Sequence, residues 1–426
     1  MKILALVVVF TCSSVFGAGF ESTAGIDADD VIPTSLLLGP NHKVSDSILN
    51  NGMQNTYTVE SQYGDFEAQG SIGLRIRIRQ VDALTYLDNL SKSAVFIQAL
   101  ADAGISSVLA VANAITKPVA TIKGLPAGIG RLFTGYIEDT KRGVEISKGF
   151  LAGSQTEGLD PAELKKLNYL LGDAEREWAA ELKVDPYGTN MVLRTAISNM
   201  AVVQFIGSLP VDFALPRYGG LAVGVLEEIG DKIYGQDAKS LEEANRVCLN
   251  LAGIKESELD AFFATGYMTP TMHAMYCSAA NRLTEVENVS LFVDRLIQSQ
   301  SFEESRFLLS TMSLMAWHHN KKGPLAAFMS DAGLPFAKTE DGHLLVMVPG
   351  DYLVWTEAVA LRLDQLSEIV GDDASFKGKS IWLLGAASNR ASRELASRNW
   401  NLHDRSTNAE IESVFQSGLA AIENAE

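Results

Sequence analysis

With 426 residues, 47% of them hydrophobic and 20% charged, the chain is long and apolar enough to bury more than one core, which excludes disorder along its whole length. A formal net charge of -17 at pH 7 repels polyanions at long range and argues against nucleic acid as a partner. Length alone points to two or three domains.

Residues 1–17 read as a signal peptide. Lys2 supplies a positive start, residues 3–10 a short apolar run, and SSVFGAG a small-residue stretch in which Val15 and Gly17 fit cleavage before Ala18. Cys12 lacks the setting of a lipoprotein signal, because Phe10 and Thr11 fit that pattern poorly. The expected product is an exported chain, periplasmic or secreted after cleavage. That compartment would permit the two remaining cysteines, Cys248 and Cys277, to pair, and the alternative is that both are small buried apolar residues.

Residues 18–55 are rich in Asp, Asn, Ser, Gly and Pro with little periodicity, which predicts an extended N-terminal arm. Residues 56–335 are expected as a mainly helical body that opens with a β-hairpin. The hairpin is read from the alternation in TYTVESQYGDFEAQG around a turn at residues 63–65. Beyond it the pattern is ambiguous: Leu74, Ile78, Val81 and Leu84 fit a helix face, whereas a strand would put Arg75, Arg77 and Arg79 on one side. Such a row of arginines could hold an anion, and a solvated face is the plainer expectation.

Two apolar belts broken by Gly and Pro follow, TKPVATIKGLPAGIGRLF at residues 116–133 and VVQFIGSLPVDFALPRYGGLAVGVLEEIG at residues 202–230. The glycines of the first match neither a phosphate loop, which needs a following Lys-Ser or Lys-Thr, nor the dinucleotide fingerprint. No later run of about 18 residues is both strongly apolar and free of charge, so a permanent membrane span is not expected. Lys117 and Lys123 beside Leu125, Ile129, Leu132 and Phe133 would suit peripheral contact with a membrane or a partner, with burial as a helical hairpin the alternative.

Asp160, Pro161 and Glu163 open a helix whose Leu164, Leu167, Leu171, Trp178 and Leu182 make one apolar stripe. Ser240 with Glu243, Thr284 with Glu287 and Ser301 with Glu304 have capping-box spacing and predict further helix starts. The stretch YMTPTMHAMYC gathers thioether, imidazole and thiol donors in Met272, Met275, His273 and Cys277, a set that suits a soft ion such as Cu(I). A helix starting at Pro270 would put the two methionines on one face and the histidine elsewhere, which favours core packing. His318 and His319 read as a helix end, and HExxH and GxSxG are absent.

Residues 336–426 change texture. HLLVMVP, SIWLLG and NWNLH are short apolar runs separated by helical patterns, which predicts a small βαβαβ module with a C-terminal helix after it. In GAASNRASREL, Gly385, Ser388, Asn389 and Arg390 would aim backbone N–H groups and a guanidinium at an anion, with Ser388 as a plain helix cap the alternative. His403 and Asp404 would lie at the same sheet edge. The expected class is mainly α, with a β-hairpin near the N-terminus and a small C-terminal α/β unit.

Three functions fit this reading. The first is an exported, non-enzymatic envelope or periplasmic protein that binds a protein partner, a small anionic ligand or a membrane surface. The others are a hydrolase or transferase with its site at the C-terminal sheet edge, and a copper-binding protein. No cofactor is expected.

Overall fold

A computed structural model of the chain describes residues 19–93, 161–201, 229–329 and 335–416. The first apolar belt, with Lys117, Lys123, Leu125, Ile129, Leu132 and Phe133, lies outside the described residues, as do residues 1–17 and nearly all of the second belt.

The chain begins with a curled, five-stranded antiparallel sheet. Its strands are β1 (Ile26–Asp27), β2 (Lys43–Val44), β3 (Ser47–Asn50), β4 (Asn55–Glu60) and β5 (Phe66–Gln69), with one-turn helices α1 (Ala28–Val31) and α2 (Thr34–Leu37) between the first two. β4 pairs with β2, β3 and β5, and β3 pairs with β1. Alternation turns Tyr57, Val59, Phe66 and Ala68 inward from β4 and β5, joined by Val44 and Ile48. They cover α3 (Gly70–Ser91), where Leu74, Ile78, Val81 and Leu87 recur at helical spacing. Gly70, at φ 68°, turns strand directly into helix in a conformation that glycine adopts without cost from a side chain. The ambiguous arginine segment is therefore helical. Arg75, Arg77 and Arg79 are only 3%, 6% and 5% exposed, so they form no solvated strand face.

The helical body comprises α4 (Pro161–Tyr169), α5 (Asp173–Glu181), α6 (Met191–Ala201), α7 (Ala238–Leu251), α8 (Glu256–Ala264), α9 (Pro270–Asn281), α10 (Leu291–Ile297) and α11 (Phe302–Lys321). The stripe expected on one helix is divided between α4 and α5. The chain breaks before Asp173, where the Glu175 carboxylate accepts the Gly172 N–H at 2.6 Å, and Trp178 and Leu182 remain buried beyond the break. Asp237, not Ser240, caps α7 by accepting from the Lys239 and Ser240 N–H groups. Thr284 starts no helix, because Glu287 instead bridges to Ala327. Ser301 caps α11 through the Glu304 N–H at 3.1 Å. A disulfide between Cys248 and Cys277 ties α7 to α9, with the Cα atoms 6.1 Å apart.

The second large sheet contains β6 (Leu325–Met329), β7 (Phe336–Thr339), β8 (His343–Val348), β10 (Gly378–Leu383) and β12 (Trp400–His403), in the order β12-β10-β8-β7-β6. A short pair, β9 (Tyr352–Leu353) and β11 (Ala386–Ala387), stands beside it. Helices α12 (Glu357–Asp372) and α13 (Asn389–Ser397) connect the parallel strands β8, β10 and β12, and α14 (Ala409–Gln416) follows them. Leu344, Val346, Val348, Ile381 and Leu383 pack with Leu363, Leu366 and Leu395 of α12 and α13. The alternate residues Leu345, Met347 and Trp382 pack with the helical body, α11 included.

The expected class, mainly α with one β-hairpin and a βαβαβ unit, is thereby corrected to a multi-sheet α+β fold. β6 and β7 pair antiparallel with each other, and β7 pairs antiparallel with β8, so the C-terminal sheet is mixed. The N-terminal hairpin is part of a five-stranded sheet. Strands such as KV, SILN, LAAFM and FAKT are too short or too poor in β-branched alternation to stand out, and tertiary pairing makes them strands.

The two large sheets meet at Asp351. This buried carboxylate accepts the Asn55 N–H of β4 at 2.8 Å through Oδ1 and the Tyr57 hydroxyl through Oδ2. Around it the main chains touch: a Cβ at Gly350 would lie 2.1 Å from the Met53 carbonyl oxygen, and one at Gly385 would lie 1.9 Å from that of Asp351. Asn50 Nδ2 donates to the Tyr352 carbonyl at 3.0 Å, and the Val354 N–H to that of Gly52 at 2.8 Å. Burial outweighs these bonds and holds the Asp351 carboxyl above its ordinary range.

Asp351→Ala should cost about 2–5 kcal/mol in urea unfolding, because it strands two buried donors, and Tyr57→Phe should cost less, about 1–2 kcal/mol. A raised native value means that the native state holds the proton more tightly than the unfolded chain. The titration of Asp351 therefore adds stability below the ordinary carboxylate range, and this is lost as pH rises through the raised value. Wild type should gain on the non-titrating Asp351→Asn when unfolding is measured at about pH 4 rather than about pH 8.

Candidate functional site

Helix α3 carries its arginines into the interior, and two of them are fixed by carbonyl oxygens. Arg79 donates from Nε to the Lys183 carbonyl at 2.7 Å and from Nη2 to that of Leu182 at 3.3 Å, at the end of α5. Arg77 donates from Nε to the Glu67 carbonyl at 3.0 Å and from Nη1 to Gln80 Oε1 at 2.9 Å, an oxygen that also accepts from Asn190 Nδ2. Among the described residues these bonds leave its Nη2 open. Burial, with Arg306 nearby, pulls the Arg77 pKa down to about 10, so it is still charged at neutral pH.

Arg77 lines a cavity of about 90 Å³, room for several waters or one small organic molecule. Its walls come from β5, α3, the loop after α5, the start of α9 and the first half of α11. Exposed Glu67 and Lys183 belong to the lining, so the cavity reaches the surface. Met272, Met275, Ile76 and Leu309 make its apolar part. Opposite charges enter from α11 and the loop. Arg306, half-buried on α11, makes no hydrogen bond or ion pair with any described residue, and Glu303 lies one turn before it.

Asp185 completes the set. It begins a DPYG turn closed by the Gly188 N–H on the Asp185 carbonyl at 3.2 Å, with Asp, Pro and Gly at the positions that favour such turns. Its Oδ1 accepts both the Tyr187 N–H at 2.9 Å and the Thr271 hydroxyl, while Oδ2 receives no hydrogen bond from any described residue. Burial raises the Asp185 pKa, opposed by those two bonds and by Arg194 and Arg306. One cavity therefore holds two guanidinium groups and two carboxylates with open hydrogen-bonding ends.

The copper candidates are not brought together. Met272 and Met275 line the cavity, Cys277 is held in the disulfide, and His273 opens on a separate groove of about 370 Å³ beside Lys165, Tyr169 and Glu242. The His273 ring packs against Phe262 and Phe263 at 5.1 and 4.7 Å, and burial pushes its pKa down to about 3, which keeps it neutral. Among the described residues, the group of His, Cys, Asp and Glu side chains close enough to share an ion is Asp27, Asp29 and Asp30, all exposed.

The anion candidates at the C-terminal sheet edge are engaged by the chain itself. Ser388 Oγ accepts the Ala391 N–H at 2.9 Å as cap of α13 and donates to Glu21 Oε2 at 2.6 Å. The same oxygen accepts the Trp355 N–H at 2.8 Å, and the Glu21 N–H returns a bond to the Trp355 carbonyl. The anion at this helix start is thus the carboxylate of Glu21. Gly385 lies against the Asp351 main chain, Asn389 is exposed as the first residue of α13, and Arg390 pairs loosely with Glu394 at 3.9 Å. His403 stacks on Trp382 at 4.3 Å, and Asp404 accepts from the N–H groups of Ala387, Ser406 and Thr407.

Sequence reasoning reached Arg77 but left its segment open between strand and helix, and it missed Asp185, Glu303, Arg306 and Glu21. The DPYG turn was the one local signal within reach. Comparisons with protein-family models, with curated proteins and with solved structures find no match. Among the described residues no helix is long and apolar enough to cross a membrane.

Ser388→Ala should cost about 1 kcal/mol as the loss of a cap. Glu21→Ala should destabilise as well, and the double variant should cost less than the two single losses together, because both act through one hydrogen bond. Chemical unfolding of the four proteins measures the coupling, and strict additivity would show that Glu21 does not serve the cap.

Proposed function

We propose that this chain is an exported binding protein whose cavity takes a small anionic ligand, with the acid group held by Arg77 and Arg306. Arg306 carries the reading: a half-buried guanidinium with no partner among the described residues lines the same cavity as the open Nη2 of Arg77. A charge left unsatisfied in protein surroundings costs stability, and a bound carboxylate or phosphate oxygen removes that cost through charge-assisted bonds. The cation forks present the planar geometry that suits such oxygens. Export is supported by the signal-like residues 1–17 and by the Cys248–Cys277 disulfide, a bond that persists in oxidising compartments.

Thermal unfolding of the mature protein with acetate, phosphate, sulfate and a panel of small carboxylates tests the site. A ligand at a hundred times its Kd should stabilise the native state by about 2.7 kcal/mol. Arg306→Gln should lose this gain while Arg390→Ala keeps it. Stabilisation by none of these compounds, or equal stabilisation of the Arg306 variant, would remove the cavity from consideration. Cell fractionation with thiol trapping checks export, which predicts an oxidised cysteine pair in the extracytoplasmic fraction.

A further inference from the structure

The cavity is not a purely cationic site, and its charge balance narrows the ligand. Arg77 and Arg306 line it together with Asp185 and Glu303. A simple anion would gain the guanidinium groups but would also face the open Oδ2 of Asp185, an acceptor without a donor. A simple cation would meet the reverse problem at Arg77 Nη2 and Arg306. Only a ligand carrying both charges satisfies every open end.

We infer that the ligand is a small zwitterion of the amino-acid type, its carboxylate on Arg77 Nη2 and Arg306 and its ammonium on Asp185 Oδ2. This rests on the binding reading above and gives it a chemical class. An ammonium brings three donors and no acceptor, which suits an aspartate whose other oxygen is already filled by Thr271 and Tyr187. A carboxylate brings acceptors alone, which suits two guanidinium groups. Glu303, one turn from Arg306 on α11, acts on Arg77 and adds a carboxylate to a lining that also includes Arg79, Lys183 and Glu67. Size sets the side chain. About 90 Å³ admits a ligand of glycine, alanine or serine dimensions, and Ile76, Met272, Met275 and Leu309 offer its side chain an apolar wall.

Calorimetric titration of the full mature protein compares L-alanine with propionate, which lacks the ammonium, and with ethylamine, which lacks the carboxylate. Glycine and L-serine are run alongside. Wild type should bind at least one of the three amino acids about tenfold or more tightly than propionate or ethylamine, a difference of about 1.4 kcal/mol. Asp185→Asn, which can still accept the Tyr187 N–H, should lose that preference and retain propionate. Arg306→Gln should lose amino acids and propionate alike. Propionate binding as tightly as every amino acid in wild type would overturn the zwitterion and leave the anion reading standing, whereas absence of binding by every amino acid would overturn the zwitterion, and the anion reading would fall with it only if propionate, acetate, phosphate and sulfate also failed to bind. The wild-type comparison decides the matter even where a variant fails to fold.

Discussion

One buried carboxylate sets how the two large sheets sit. Asp351 accepts from the main chain and the Tyr57 side chain of β4, and the glycines on either side of the junction let the backbones approach to contact. Helix α3 packs on β4 and β5, while α11 packs on β8. Through those packings, the spacing of α3 from α11 follows from the seating of Asp351. Arg77 lies on the first helix and Arg306 on the second, and both line the polar cavity. Its ring of bonds is satisfied on every side, as expected of a polar group placed where no water competes.

The cavity differs in kind from that junction. Several other buried polar groups are matched: Arg79 ends on two carbonyl oxygens, Arg176 on those of Leu171 and Tyr234, and Asn190 on Gln80. Around Arg306, Arg77 Nη2 and Asp185 Oδ2 the matching stops. Folding alone gains nothing from charges left open in this way, and local departures from self-consistency of this sort accompany sites that a ligand completes. The sheet edge near Ser388 has the opposite character. There a residue from the start of the described chain supplies the negative charge that the helix terminus favours.

What could be read from residues alone followed the range of the interactions involved. The parallel strands from His343 to His403 carry short apolar runs between helical patterns, and such local contrast is visible in a string of letters. The Ser301 cap was legible for the same reason, since its partner is three residues away. β1, β2 and β7 were invisible because two to four residues carry no period, and only remote strands give them a ladder. The arginines of α3 fit strand alternation and helix periodicity equally on paper. Packing beneath β4 and β5 decided between the two. The site itself draws on residues 77, 185, 303 and 306, a spread no local pattern can join.

The Glu21 contact has a consequence for the order in which this protein can be completed. Its hydrogen bond to Ser388 spans 367 residues, that of Asn55 to Asp351 spans 296, and that of Arg405 to the Val31 carbonyl spans 374. The opening sheet is thus finished by residues far along the chain, and loops of this length must close before their contacts repay the closure. A nascent chain that has emerged only as far as its helical body still lacks Asp351, the acceptor for Asn55 and Tyr57, and Ser388, the donor to Glu21. The architecture itself delays the native state until the segments around Asp351 and Ser388 have joined the opening residues.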